Sequence, residues 1–445
     1  MKYPKAIICA VVLLGLFFVV NIAAPVQAQG TTTITEGQKI FAAVKRARTL
    51  LQEQVNQVAL DKKVKSKTVT SRNVTLGLTL AVWNEVSDEI EFVKIKKFNL
   101  QITTVSDRPY KFKVVRDNGV NSEFEIVGES NLHVLALIHP IFVDIGTTKR
   151  PKYRLDDVVY VPYSSYLKKP EIIQAGKDYL NKNVQAVYQE LRALGVRSRA
   201  FPDLSLAEAI SPEVVKSIIA IEHIGVSLLV LGNTEDYLEN FYIILATNEN
   251  TAYAYSRSTA SARGLAQFIP STYASLVKKR PDLVLVKDFV QGTTDPYNII
   301  KAQIAYLDLS LTELSQAVRQ AHEGDGLTIG SYLAAMYNGG GTRTRRAIKL
   351  WGDAWAEDHR VQVAEFKKQA SSAQYEVNRL KKALAKSGLT AAEKKKLNTE
   401  LQTYKSKVIS FTNQAATAES SRLKLETVLY VAKFKLVYDN LIKAQ

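Results

Sequence analysis

Cysteine is almost absent from this sequence: there is one in 445 residues, Cys9, inside an N-terminal apolar run. A lone cysteine excludes an intramolecular disulfide framework and a cysteine-ligated metal site. It also stands too early in that run to read as a lipidation site. Histidine is scarce. His133, His139, His223, His322 and His359 are scattered without metal-ligand spacing. No cofactor and no metal is implied. Acidic residues are in deficit, 43 against 59 lysines and arginines, which leaves a net charge of +16 and calls for an acidic partner. Beyond the first thirty residues no stretch is apolar and long enough to cross a bilayer.

The first residues have an order of their own. MKYPK is basic, IICAVVLLGLFFVVNI (7–22) is apolar, and AAPVQAQG supplies small residues around Gln27. That order predicts a secretory signal, residues 1–28, cleaved after Ala28. A retained anchor is the alternative, although the run to Val20 is short for a span. The mature chain is expected in the periplasm or cell envelope, with no membrane span left. Export excludes nucleic acid as the acidic partner and leaves an anionic glycan or a membrane surface.

Roughly 415 mature residues correspond to two to four domains. Residues 29–67 read as a helical segment, with Ile40, Val44, Leu50, Leu51, Val55 and Val58 near helical spacing over 36–66. From 68 to 165 the period changes to two, in runs such as IEFVKIKKFNLQITTV and HVLALIHPIFV separated by DRP, DNG and GTTKRP. This predicts a β-rich domain without a catalytic cluster. Helical spacing returns over 166–354, beginning with a helix from Pro170 that stops at Gly195. Residues 355–445 lack proline, apolar positions recur at steps of three and four, and SGLT (387–390) divides them. Gly388 suits a helix C-terminus and Thr390 an N-cap, which predicts an antiparallel helical hairpin. The hairpin reads as a solvated arm, or as a surface for a cell-envelope protein partner. The fold class expected is therefore α+β multidomain: a β-rich N-terminal domain, a mainly α domain and a C-terminal helical hairpin.

Three stretches of the α domain carry unusual residues. In ISPEVVKSIIAIEHIG (210–225), Ser211 suits an N-cap and Pro212 the first helical position. Val215, Ile218, Ile219 and Glu222 then share one face, so a carboxylate rides on an apolar stripe near a helix C-terminus. Burial and the helix dipole both raise such a pKa, as a general acid near neutral pH requires. A surface Glu paired with a lysine is the plainer reading of that residue alone. In SRSTASARGLAQFIPSTY (256–273), Ser258 and Gly264 lie among small residues that permit close approach, and Gln267 is a neutral amide between Leu265 and Phe268. In LAAMYNGGGTR (333–343), Tyr337 and Asn338 stand where a helix meets three glycines, placed to hold a sugar ring or orient a carboxyl. A helix-packing corner and a glycine-rich C-cap are the structural alternatives for these two stretches.

Taken together, the three stretches resemble the lytic transglycosylase branch of the lysozyme-like superfamily, the soluble-transglycosylase and goose-type-lysozyme group. GLAQFIPSTY (264–273) stands for its Gly-Leu-Met-Gln segment, with Ala266 in place of Met. AAMYNGG (334–340) stands for its Ala-Tyr-Asn-Gly segment, and DPYNIIKAQIAYLDLSL (295–311) for its Asp-x-x-Asn-Ile stretch. The resemblance covers about 205–350. It implies a lysozyme-like domain acting on peptidoglycan glycan strands. The implied reaction cleaves the β-1,4 bond between N-acetylmuramic acid and N-acetylglucosamine with one Glu as acid and base, and closes a 1,6-anhydro ring. It further implies that Ser258, Gly264, Gln267, Tyr337 and Asn338 contact substrate or orient the acid. Two residues compete to be the acid. Glu249 lies fifteen residues before Gly264, the spacing of many relatives. FYIILATNENTAYAYS around it, however, reads as two strands flanking a turn, where a carboxylate would be solvated. Glu222 has the better helix and is preferred, with a β insertion between it and Gly264. A muramidase that lets water attack, and a non-catalytic wall-binding scaffold, remain the rival functions.

Overall fold

Period-two alternation between residues 76 and 160 does form a sheet, and its two faces account for the layering. The computed structural model describes residues 34–61, 68–70, 73–106, 110–144, 149–225 and 234–443. The expected signal, residues 1–28, lies outside them. Strands β1 (Thr68–Val69), β2 (Leu76–Asn84), β3 (Ile90–Phe98), β4 (Gln101–Thr104), β7 (Leu132–Asp144) and β8 (Tyr153–Tyr160) form an antiparallel sheet in the order β1-β8-β7-β2-β3-β4. Strands β5 (Phe112–Arg116) and β6 (Glu123–Ile126) pair as a separate hairpin.

Successive side chains of a strand point to opposite faces. On β2, Ala81 and Trp83 pack against helix α1 (Glu36–Asp61), whose Ile40, Val44, Ala47 and Leu51 form one buried stripe. Leu78, Leu80 and Val82 point the other way, into a core shared with the β5–β6 hairpin and the helices that follow. The pairing of β2 with β7 shifts register between Ala81 and Val82. Leu135 and Ala136 consequently both pack on the α1 side, while Leu137 joins the helical core. His139, two residues on, shares the face of Leu137.

The helices begin with α2 (Pro170–Ala193), followed by α3 (Pro212–His223) and α4 (Thr234–Asn248). Helix α3 starts as its sequence dictates, with Pro212 in the first turn and the Ser211 hydroxyl accepting from Val214 N–H. Then come α5 (Pro270–Lys279), α6 (Phe289–Thr294), α7 (Pro296–Leu311), α8 (Gly326–Gly339) and α9 (Gly341–Trp351). The Asp295 carboxylate caps α7 by accepting from the N–H groups of Tyr297 and Asn298. Asn298 donates to the Tyr273 hydroxyl and the Gly292 carbonyl, and accepts from Val286 N–H at 2.9 Å. The DPYN motif is thus used to tie α5, α6 and α7 together. Asp308 on α7, fully buried, accepts from Arg280 at 3.1 Å and from the N–H groups of Arg199 and Ala200. A buried ion pair is sustained only when further hydrogen bonds satisfy it, as they do here.

The strand pair expected around Glu249 does not form. FYIILATN belongs to α4, which buries Leu238, Phe241, Tyr242 and Leu245 toward the helical core and Ile243 and Ala246 toward α1. From Phe241 to Asn248 this helix is buried on every side and has no polar face, so the run loses the helical period that would identify it.

The C-terminal segment also departs from a two-armed hairpin. Helices α10 (Arg360–Leu384) and α11 (Ala391–Ser421) pack on each other through Val377, Leu380 and Leu401. Gly388 has a positive φ of 88°, and Thr390 and Glu393 form a reciprocal capping box. The chain then turns at Arg422 and starts a third helix, α12 (Leu425–Lys443), which returns to the core. Its Tyr430, Val431, Phe434 and Val437 are buried there, and the edge of the Phe434 ring lies against Gly330 of α8 and Val214 of α3. Neither glycine nor proline marks this break, which is why spacing alone ran the two helices together. The described residues from Glu36 onward pack as one compact unit. Among them no helix is long and apolar enough to cross a membrane.

Candidate active site

Glu222 occupies the last turn of α3, partly buried, with its carboxyl at the core end of the helix. The Tyr430 hydroxyl of α12 donates to its Oε1. The Lys433 ammonium, also on α12, donates to the Ile221 carbonyl at the C-terminus of α3. Burial pushes the Glu222 carboxyl up to about 7, against the opposing pull of the Tyr430 hydrogen bond and the Lys433 charge. Burial pushes Lys433 down to about 8, and the negative charge of Glu222 opposes this. A carboxyl poised near 7 can give and take a proton at neutral pH, as acid–base catalysis demands.

The GLAQ segment is held by three carbonyls in succession. Gly264 O accepts from Gln267 Nε2 at 2.8 Å, Leu265 O lies 2.8 Å from His223 Nε2, and Ala266 O accepts from the Tyr337 hydroxyl. A carbonyl only accepts, so His223 carries its proton on Nε2. Burial pushes that ring down to about 3, so it is neutral at pH 7. His223 stacks on Tyr253 with ring centroids 3.8 Å apart. The residue next to Glu222 thereby couples α3 to the loop carrying Gln267, and Tyr337 couples α8 to it. Burial, then the nearby Glu222 charge, hold the Tyr337 phenol far above its usual range.

The close approach that Gly264 allows is to backbone. It has φ +70°, and a Cβ there would stand 1.7 Å from the Thr293 carbonyl oxygen. Ser258 is exposed, and its hydroxyl accepts from Ala262 N–H within its own turn. Gln267, also at positive φ, donates a second, longer bond to Ser256 Oγ at 3.4 Å. Asn338 is exposed at the end of α8 and accepts from Thr427 Oγ1 of α12 at 2.8 Å.

A cleft of about 650 Å³ reaches Glu222 and His223. Tyr253, Tyr255, Ser256 and Arg257 also line it from the helical side, and Lys97, His139 and Tyr160 line it from the sheet. Arg257 pairs with Asp144 at the end of β7, fastening the loop to the sheet. Ser258, Gly264, Gln267, Tyr337 and Asn338 are not among the lining residues; Gln267 and Tyr337 stand behind the wall and brace it. Glu249 lies elsewhere. It follows α4 at φ +49°, its side chain is 51% exposed, and its carboxylate is 3.7 Å from Arg48 of α1.

Sequence reasoning missed Tyr430 and Lys433. They are spaced as neighbours on one helix, but nothing local aims them at a residue two hundred positions earlier. Among the described residues no group of three or more His, Cys, Asp or Glu could hold a metal ion.

A carboxyl poised near neutrality at a polar cleft is a candidate acid–base site on a mainly helical body. Residues 233–358 match the family model of the transglycosylase SLT domain. The chain thus carries a lytic transglycosylase domain of the lysozyme-like superfamily. The matched stretch takes in Glu249, Gln267 and Tyr337 and begins after Glu222. No curated protein and no solved structure matches the chain.

Proposed function

We propose that this protein is a peptidoglycan lytic transglycosylase in which Glu222 is the acid and base. The reading rests on the Glu222 carboxyl, raised to about 7 and open to the cleft. Protonated Glu222 donates to the glycosidic oxygen as the β-1,4 bond between N-acetylmuramic acid and N-acetylglucosamine breaks. The substrate's acetamido oxygen supports the positive charge at C1, one of the exceptions to the two-carboxylate scheme. The carboxylate then takes the proton of the muramoyl C6 hydroxyl, whose oxygen bonds to C1. The product is a 1,6-anhydro ring, and Glu222 is protonated again. Gln267 and Tyr337 position the loop that faces substrate, while Ser258, Gly264 and Asn338 shape its turn and flanks. The substrate places the working protein outside the cytoplasm.

One observation favours a second acid: Glu249 lies inside the matched stretch, fifteen residues before Gly264. Its position argues against it: the side chain is 51% exposed, lies 3.7 Å from Arg48 of α1 and is not among the residues lining the cleft. Digestion of purified sacculi, followed by mass spectrometry, tests the proposal. Anhydro-muropeptides are expected, abolished in Glu222→Gln and retained in Glu249→Gln. Reducing ends would make the enzyme a muramidase, and loss only in Glu249→Gln would transfer the role. No lysis at all would leave a wall-binding scaffold.

A further inference from the structure

The sheet side of the cleft carries an acceptor that nothing among the described residues uses. His139 on β7 is 4% exposed and lines the cleft. Its Nδ1 lies 2.8 Å from the Pro140 carbonyl oxygen, which can only accept, so Nδ1 carries the proton and donates. Nε2 is then a bare lone pair, closed from solvent, with no hydrogen-bond partner among the described residues. Buried polar atoms are rarely left so, and each needs an explanation.

The surroundings restrict what could satisfy it. Lys97, on the same sheet face, already donates to Asp117 at 2.7 Å, and Asp117 also accepts from Ser122. Burial pushes the His139 ring down to about 4, so it stays neutral at pH 7. The wall therefore offers an acceptor and no unpaired cation. A carboxylate would find no donor at Nε2, whereas a hydroxyl or an amide N–H would. Tyr255, half-buried and edge-to-face at 6.1 Å with the buried Tyr160, adds aromatic surface of the kind sugar rings lie against.

We propose that the strand-rich segment forms one wall of the glycan cleft, where His139 Nε2 accepts a hydrogen bond from a hydroxyl or acetamido N–H of a neutral saccharide. This rests on the glycan-cleaving reading above and adds a specificity residue to it, outside the matched domain.

The test titrates tetra-N-acetylchitotetraose into the full chain and, separately, measures kcat and KM on purified sacculi. His139→Phe removes the acceptor and should weaken oligosaccharide binding at least tenfold. KM should rise similarly, with kcat within threefold of the parent. His139→Gln can present an oxygen near the lost Nε2 and should recover most of the binding. Asn118→Trp, at an exposed position on the hairpin loop lining the same cleft, should obstruct it without disturbing the core. If His139→Phe and Asn118→Trp both bind and turn over like the parent, His139 takes no part in binding and the proposal is overturned. Lysis with an unaltered KM in both would sink the subsite and leave the lytic reading standing. His139-dependent binding without lysis would sink the lytic reading and keep the subsite. A parent chain that neither binds nor cleaves would sink both.

Discussion

Tyr430 donates its phenolic proton to Glu222 across 208 residues of sequence. The Glu222 carboxyl on α3 is thus held by a hydroxyl from α12. Lys433, one turn further on, fastens the same helix to the carbonyl of Ile221. Together they make α12 part of the site.

The first prediction concerns that hydroxyl. A hydrogen bond donated to a carboxylate favours the charged form, so removing it raises the Glu222 pKa further. Such bonds contribute about 1.5–3 kcal/mol, or about 1–2 pH units. In Tyr430→Phe the alkaline limb of the kcat profile should therefore move from near pH 7 to higher pH by about that amount. Glu222 must be protonated to act as the acid, so activity falls as pH rises through its pKa. An unmoved limb would mean that Glu222 is not the titrating acid.

The second prediction follows from linkage. The folded Glu222 pKa, about 7, exceeds the unfolded value of about 4.3. Between those values the folded state binds the extra proton, so this group's contribution to stability falls as pH rises from about 4 to 7 and stays low above. Glu222→Gln keeps the shape and cannot ionise. Its melting temperature should match the parent near pH 4 and exceed it progressively up to pH 8. The gap should correspond to roughly 4 kcal/mol at most. A constant difference across that range would contradict the buried-carboxyl assignment.

The third prediction concerns Gly264. Its positive φ disfavours any side chain, and a Cβ would overlap the Thr293 carbonyl. Gly264→Ala should cost about 2–4 kcal/mol, read as a lower denaturation midpoint, from backbone strain and displacement of α6. The same substitution at Gly340, where a Cβ meets nothing within 4 Å, carries only the backbone term and should cost less.

Local chemistry made much of this protein legible from residues alone. Ser211-Pro212 starts α3 and Thr390 starts α11, because a cap is satisfied by atoms within three residues. Alternation exposed the sheet because one strand's two faces meet different environments. Glu222 stood out because a carboxylate on an apolar stripe is costly wherever the helix lies. The order of GLAQ and YNGG also carried the superfamily, which the match at 233–358 supports. The second half of α4 is not legible in the sequence because Phe241–Asn248 is enclosed all round and has no polar face to give it a period. Tertiary contact alone decided the rest. Gly264 proved to face Thr293. The start of α12 followed from where Phe434 could be buried. The Glu222 proton affinity came from burial, Tyr430 and Lys433. His139 became a cleft residue only when β7 was laid beside the helical body. Proton affinity and access are properties of what surrounds a side chain, and those surroundings come from distant segments.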